Sequence, residues 1–239
     1  MEFLSEEESS ELYGEPVALK EFEIKNIIRL ARPTKNDIFY DLGSGYGEIV
    51  RYIFKNTKVK KAIGIESDPK RFLIAIEKTR DEFYKKDLKN IDFWCVDYGD
   101  YDISDATIIY DGIDEISDFA SLDNEPIKLY NKYFEKKKIR ILKRDLPLIG
   151  YGPAKSLRDK KGSWFFLMKT PLDDYKIDRK EEWIESVFGK KDKTVSDIIR
   201  HYLAQYEKRD IKSSRIETSS LRRNVERIMK KRFSSRFRS

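Results

Sequence analysis

The sequence predicts an α/β protein built on an open, doubly wound sheet, with a helical, basic appendage at its C-terminal end. Three observations predict it. Short apolar runs alternate with helical patterns between Ile24 and Ile198. A glycine-rich turn follows the first run directly, in "YDLGSGYGEIV" from Tyr40 to Val50. Three of these runs, taken in succession, end on or next to an acid: Asp41, Glu66 and Asp97.

The elements follow in order. In EFEIKNIIRLA the apolar residues Phe22, Ile24, Ile27, Ile28 and Leu30 recur at helical spacing, and Pro33 stops the helix. Ile38–Leu42 reads as a short buried strand. Gly47–Phe54 begins a helix directly after the glycines, and Ala62–Glu66 is the next strand. Asp68-Pro69 supplies an N-cap and a first-turn proline, opening a helix with Phe72, Leu73, Ile76 and Phe83 on its apolar side. Ile91–Val96 and Ala106–Tyr110 are the third and fourth strands. Pro126 opens the helix PIKLYNKYFEKK, which leads into a strand at Ile139–Leu142, and Trp164–Met168 closes the set. After Pro171 strand signals cease. Trp183, Ile184 and Val187 mark one helix, Val195–Tyr206 another, and LRRNVERIMKKRF a basic third. The expected division is an acidic segment 1–11, a sheet domain 12–170 and a helical appendage 171–239.

Composition narrows the chemistry. Of 239 residues, 39% are hydrophobic and 38% charged, and no apolar run approaches the roughly 18 residues of a membrane span. The beginning, MEFLSEEESS, lacks a basic-then-apolar leader, so a cytoplasmic protein is expected. One cysteine, Cys95, forbids an internal disulfide, and with one histidine, His201, it leaves too few soft ligands for a zinc site. Ser-His-Asp and Cys-His catalysis are not expected, because His201 lies in a helical, basic tail far along the chain from Cys95. The net charge is +6, but it is unevenly spread. Residues 1–15 hold six glutamates and no basic residue, whereas Tyr206 to Ser239 holds 12 Lys/Arg against 4 Asp/Glu. That tail either faces a polyanion such as DNA or RNA, or is simply solvated.

The glycine turn implies a nucleotide. A dinucleotide fingerprint needs Gly-x-Gly-x-x-Gly, but here Gly43, Gly45 and Gly47 read Gly-x-Gly-x-Gly and Glu48 takes the place of the third fingerprint glycine. Asp41 and Glu48 would repel a pyrophosphate and favour a cation. S-adenosylmethionine carries a sulfonium and an α-ammonium and suits such a site. Glu66 would then accept from the ribose hydroxyls and Asp97 from the adenine amino group, with Tyr98 against the ring. Three acids at three successive strand ends point to a class I methyltransferase, with the seven-strand Rossmann-like sheet of that class.

"LYGEP" at Leu12–Pro16, followed by a helix and then "DIFYDLGSGYGEIV", resembles the Dot family (disruptor of telomeric silencing) of histone-lysine methyltransferases. "AIGIE" and "VDYGDYDI" match that family's next two cofactor elements. Asp37 to Thr170 also resembles short archaeal protein-lysine methyltransferases. The resemblance implies that Tyr13 and Glu15 help to enclose the cofactor. It further implies that Asp41, Gly43, Ser44, Gly45, Gly47, Glu66, Asp97 and Tyr98 bind it. Where the Dot pattern has paired asparagines after the fourth strand, this chain has Asp111-Gly112.

The acceptor expected from the resemblance is a lysine ε-amine of a basic, DNA-associated protein. The Pro-Pro-Tyr motif of many base and glutamine methyltransferases is absent after Tyr110. Asp111 is assigned to positioning cofactor or substrate and not to a general base, since a carboxylate beside the lysine would hold it as ammonium. Tyr110 is either a wall of the acceptor channel or a core residue of its strand, and Tyr151 is a second aromatic candidate. Two alternatives stay open: an RNA or small-molecule methyltransferase, and an inactive nucleic-acid-binding relative.

Overall fold

A computed structural model of the chain describes residues 18–112 and 125–188, together with Ser5. A seven-stranded sheet forms in the order β3-β2-β1-β4-β5-β7-β6. Its strands are β1 (Ile38–Leu42), β2 (Lys61–Glu66), β3 (Ile91–Cys95), β4 (Ile108–Asp111), β5 (Arg140–Arg144), β6 (Lys155–Arg158) and β7 (Trp164–Lys169). The first five run parallel, as expected. β7 runs antiparallel to β5, and β6 antiparallel to β7. The residues between β5 and β7 form β6 instead of a crossover helix, so the chain turns back on itself; a parallel return would need such a crossover.

Helices α1 (Glu21–Ala31), α2 (Glu48–Asn56), α3 (Pro69–Glu82), α4 (Glu125–Phe134) and α5 (Lys180–Phe188) pack on this sheet. α1 ends where the proline requires: Arg32 takes a left-handed φ of 48° and returns its N–H to the Ile28 carbonyl, and Pro33 follows. α3 opens as its sequence specifies, the Asp68 carboxylate accepting from the Lys70 and Arg71 amides ahead of Pro69.

Two apolar clusters lie on the two faces of the sheet. One joins Ile24 and Ile27 of α1, Val50 and Ile53 of α2 and Phe72 and Ala75 of α3 to Phe39, Ala62, Phe93 and Ile108. The other joins Tyr130 and Phe134 of α4 to Tyr40, Ile63, Ile109, Ile141 and Phe166. Leu172 and, from α5, Trp183, Ile184, Val187 and Phe188 are buried in that same cluster. The expected helix at Trp183 therefore forms, and it packs directly into the core on the sheet. The helices expected over Val195–Tyr206 and in LRRNVERIMKKRF lie outside the described residues.

Strand order fixes the location of the site. From β1 the chain steps outward through β2 to β3, then returns to β4 on the other side of β1 and continues to β5. The reversal opens a crevice beyond the carboxyl ends of β1 and β4, where open α/β sheets bind ligands.

Candidate active site

The glycine turn occupies that crevice. Gly43, Gly45 and Gly47 have φ of 74°, 53° and 74°, a left-handed region that strains other residues. The turn is fastened to β2: the amides of Gly43 and Ser44 both donate to the Ile65 carbonyl at 2.9 Å. The Gly45 amide donates to Glu66 Oε2 at 2.7 Å. At Gly45 a side chain would point into open space, so this backbone is bare toward the crevice.

Glu66 is almost fully buried, and its second oxygen, Oε1, accepts from the Asp68 amide at 2.8 Å. Sequence reading assigned it to the ribose; the structure adds that it ties the glycine turn to the start of α3. Burial pushes its carboxyl above the ordinary range, opposed by the two amides and by Arg71. Arg71 in turn lies 3.3 Å from Asp68.

Asp41 lies beneath the turn, paired across the sheet with Gly64 on β2 and Tyr110 on β4. It is 1% exposed, and its Oδ2 has no hydrogen-bond partner among the described residues. Burial above all, then the carboxylates of Glu66, Glu48 and Asp111, drives its carboxyl well above the ordinary range. Ser44 Oγ beside it is likewise buried and without a hydrogen-bond partner. A buried acid held among acids is a site built for a cation.

Asp97 follows β3, and its side chain accepts from the Gly99 amide at 2.9 Å, opening the short 3₁₀ turn Tyr98–Asp100. Asp97 and Tyr98 are both half-buried at the same edge of the sheet. Tyr13 and Glu15 lie outside the described residues.

Asp111 ends β4 and is fully buried. Its Oδ1 lies 3.1 Å from Lys143 Nζ, and its Oδ2 accepts from the Tyr130 hydroxyl at 2.7 Å. Tyr110 points to the opposite face, into the cluster under α1 and α2. Its ring lies 3.0 Å from where a Cβ on Gly112 would stand. Tyr151 is also buried, on the other face, its carbonyl accepting from Trp183 Nε1 at 3.0 Å.

The sequence model of the family described as "Histone methylation protein DOT1" matches residues 5–118. The chain is an S-adenosylmethionine-dependent methyltransferase with the class I fold, similar over those residues to the Dot family. A protein-lysine N-methyltransferase of Saccharolobus islandicus (strain REY15A) is 25% identical to it over 143 residues, 59% of this chain and 81% of that protein. An RNA methyltransferase from Salinibacter ruber, solved in complex with S-adenosyl-L-homocysteine, shares the fold. Its TM-score is 0.54 at 23% identity, over 65% of this chain and 94% of that one.

Its cofactor is S-adenosylmethionine, and the residues present fit that group. Asp41 offers an unpartnered carboxylate oxygen for a cation, the bare turn at Gly45 admits close approach, and Glu66 and Asp97 present carboxylates at the next two strand ends.

Three residues that position this site escaped the sequence reading. Gly64 on β2 lies under the turn, where a Cβ would meet Ser44 Oγ and Phe93 Cδ1, each at 2.6 Å. A glycine inside a strand pattern signals such a close approach. Lys143 and Tyr130 carried no local signal, because only the folded sheet brings β5 and α4 to Asp111. Among the described residues no group of His, Cys, Asp or Glu could hold a metal ion, and no helix is long and apolar enough to cross a membrane.

Proposed function

We propose that the chain is a protein-lysine N-methyltransferase acting on a basic protein. One observation carries the reading: from Ile91 to Ile127 the sequence holds eleven Asp/Glu and no Lys or Arg, in a chain whose net charge is +6. This run begins with β3 and passes through Asp97 and Asp111 at the crevice, and Asp100, Asp102 and Asp105 on it are exposed. Such an edge suits a basic polypeptide, since complementary charge speeds encounter and rejects acidic partners. The 25% identical protein-lysine N-methyltransferase supports the same acceptor.

S-adenosylmethionine supplies an already activated methyl group, so neither a metal nor a covalent enzyme intermediate is required. The chain's own task is alignment and a neutral acceptor. Deprotonating a lysine of ordinary pKa near 10.4 at pH 7 costs roughly 4–5 kcal/mol. Asp111, engaged by Lys143 and Tyr130, holds the floor of the crevice and takes no proton from the acceptor. Asp41, Glu66 and Asp97 hold the cofactor, and Tyr13 and Glu15 are proposed to close over it. The basic tail from Tyr206 is proposed to contact nucleic acid near the substrate.

The test is a radiolabelled methyl-transfer assay on cell extract, with and without nuclease, followed by mass spectrometry. Label on lysine ε-nitrogens that survives nuclease is expected. Label confined to nuclease-sensitive material overturns the lysine reading in favour of RNA.

A further inference from the structure

The glycine turn is gripped from two sides. From β2, the Ile65 carbonyl and the Glu66 carboxylate take the amides of Gly43, Ser44 and Gly45. The second half of the turn, Tyr46 and Gly47, is held from the helices. Arg51, one turn into α2, donates from Nη1 to the Tyr46 carbonyl at 2.6 Å. Its Nε donates to Glu82 Oε2 at 3.1 Å, and Glu82 is the last residue of α3. Lys78, also on α3, lies 5.2 Å from the centre of the Tyr46 ring. Through Arg51, the end of α3 bears on a backbone carbonyl of the turn.

Arg51 is not a surface arginine. Its neighbours Ile49, Val50 and Ile53 on α2 are core residues, and Arg51 itself is 7% exposed. A guanidinium withdrawn from water is tolerated where its donors are met, and here two edges of its planar fork meet two different partners. A lysine ammonium, a single point of charge, could not serve both. The carbonyl it holds matters equally. Gly45 and Gly47, at φ of 53° and 74°, flank Tyr46, so the backbone on each side of it has the freedom of glycine. Fixing the Tyr46 carbonyl fixes the whole planar peptide that joins it to Gly47, whose amide donates to the Ser44 carbonyl at 2.8 Å. That peptide adjoins the bare backbone at Gly45. A turn already ordered in this way binds its ligand without the further cost of ordering it.

We infer that Arg51 is a positioning residue of the cofactor turn: anchored by Glu82, its guanidinium holds the Tyr46 carbonyl and so pre-orders the Gly45–Gly47 backbone for S-adenosylmethionine. Glu82 acts through Arg51. The inference rests on the assignment of the crevice to S-adenosylmethionine, and it concerns binding before any transfer.

The test is calorimetry with S-adenosylhomocysteine on the full chain, together with hydrogen exchange of the ligand-free turn read by mass spectrometry. Arg51→Met is expected to weaken binding by roughly tenfold or more, the worth of a hydrogen bond made by a charged group. It should also speed exchange at residues 43–47 while β1 and β2 keep their protection. Arg51→Lys reaches one partner at a time and should fall between Arg51→Met and the wild type. Glu82→Ala removes the anchor and leaves the guanidinium, so it should weaken binding less than Arg51→Met and add nothing in the Arg51→Met background. Lys55→Met removes an exposed cation that meets the other Glu82 oxygen at 2.8 Å, and it should leave affinity and turn exchange unchanged. A merely structural role predicts a lower melting temperature with unchanged affinity in the folded protein, and that result for Arg51→Met overturns the inference. Additive losses from Arg51→Met and Glu82→Ala, or a Lys55→Met variant that binds as weakly as Arg51→Met, overturn it equally. If Arg51→Met does not fold, Arg51→Lys and Glu82→Ala decide, and wild-type affinity with wild-type turn exchange in both overturns it. Wild-type protein that binds no S-adenosylhomocysteine overturns the cofactor assignment and this inference with it, a result distinguishable from a variant that binds as well as a binding wild type.

Discussion

Asp41 shows how one residue can set stability against binding. Its carboxyl is raised in the folded chain by burial and by three neighbouring acids, and its Oδ2 is unpartnered. An acid raised on folding contributes stability that is fully present below its unfolded pKa and is lost as pH rises through the folded one. The free protein should therefore lose stability toward neutral and alkaline pH, and Asp41→Asn should recover part of it. A gain on the order of 1–3 kcal/mol at pH 8 is expected, shrinking toward pH 4, with weaker S-adenosylhomocysteine binding at neutral pH. Thermal melts across pH and calorimetry check both halves, and a variant that loses stability at pH 8 contradicts the account. Glu66 behaves differently because its oxygens already serve the backbone, one accepting from Gly45 and the other from Asp68. Glu66→Ala removes the ribose acceptors and also releases the turn. A binding loss of roughly 2–4 kcal/mol is expected, together with a lower melting temperature.

At the scale of elements, β2 is the base on which the glycine turn is built. Gly64→Ala should drive a methyl group into Ser44 and Phe93, an overpacking cost of roughly 1–3 kcal/mol. Since Ser44 also donates its amide to the Ile65 carbonyl, the turn should shift and cofactor affinity should fall with the melting temperature. Unchanged affinity in a destabilised Gly64→Ala would show that the turn is not held from below. Elements with a strong periodic pattern were legible in the sequence. The Phe22–Leu30 stripe gave α1, the Asp68-Pro69 pair gave the start of α3, and the apolar runs gave β1, β2, β3 and β5 to within a residue or two. β6 was not legible, because KSLR is an edge strand with only Leu157 partly buried and so has no alternation to read. The antiparallel return of β7 was equally hidden, since direction is set by the connection and Trp164–Met168 reads as buried either way. In the site, the acids could be read because each follows an apolar run. Lys143 could not, since a lysine at a strand's end usually reaches water, and only its contact with Asp111 shows otherwise.

At the scale of the whole molecule, charge is segregated along the chain. The acid-only run from Ile91 to Ile127 includes Asp97 and Asp111 at the crevice, while Tyr206 to Ser239 carries a balance of +8. Leu221, Val225, Ile228 and Met229 are spaced to line one side of a helix, which would leave the arginines of LRRNVERIMKKRF for phosphates. Neutralising several phosphates makes binding steeply salt-dependent and largely indifferent to sequence. Weak double-stranded DNA binding is therefore predicted for the full chain, with truncation at Tyr206 abolishing it. S-adenosylhomocysteine binding should survive that truncation, because the sheet, the glycine turn and α5, whose Trp183 and Ile184 fill the core, all precede the cut. Gel-shift titrations of both forms at two salt concentrations, with calorimetry in parallel, separate the outcomes. Equal DNA affinity for the two forms would remove the tail from recognition. Loss of folding on truncation would make it a structural cap whose charges are merely solvated. Loss of DNA binding with cofactor affinity intact would leave the acidic crevice edge to receive a basic substrate, and the basic tail to bring the enzyme to the nucleic acid on which that substrate sits.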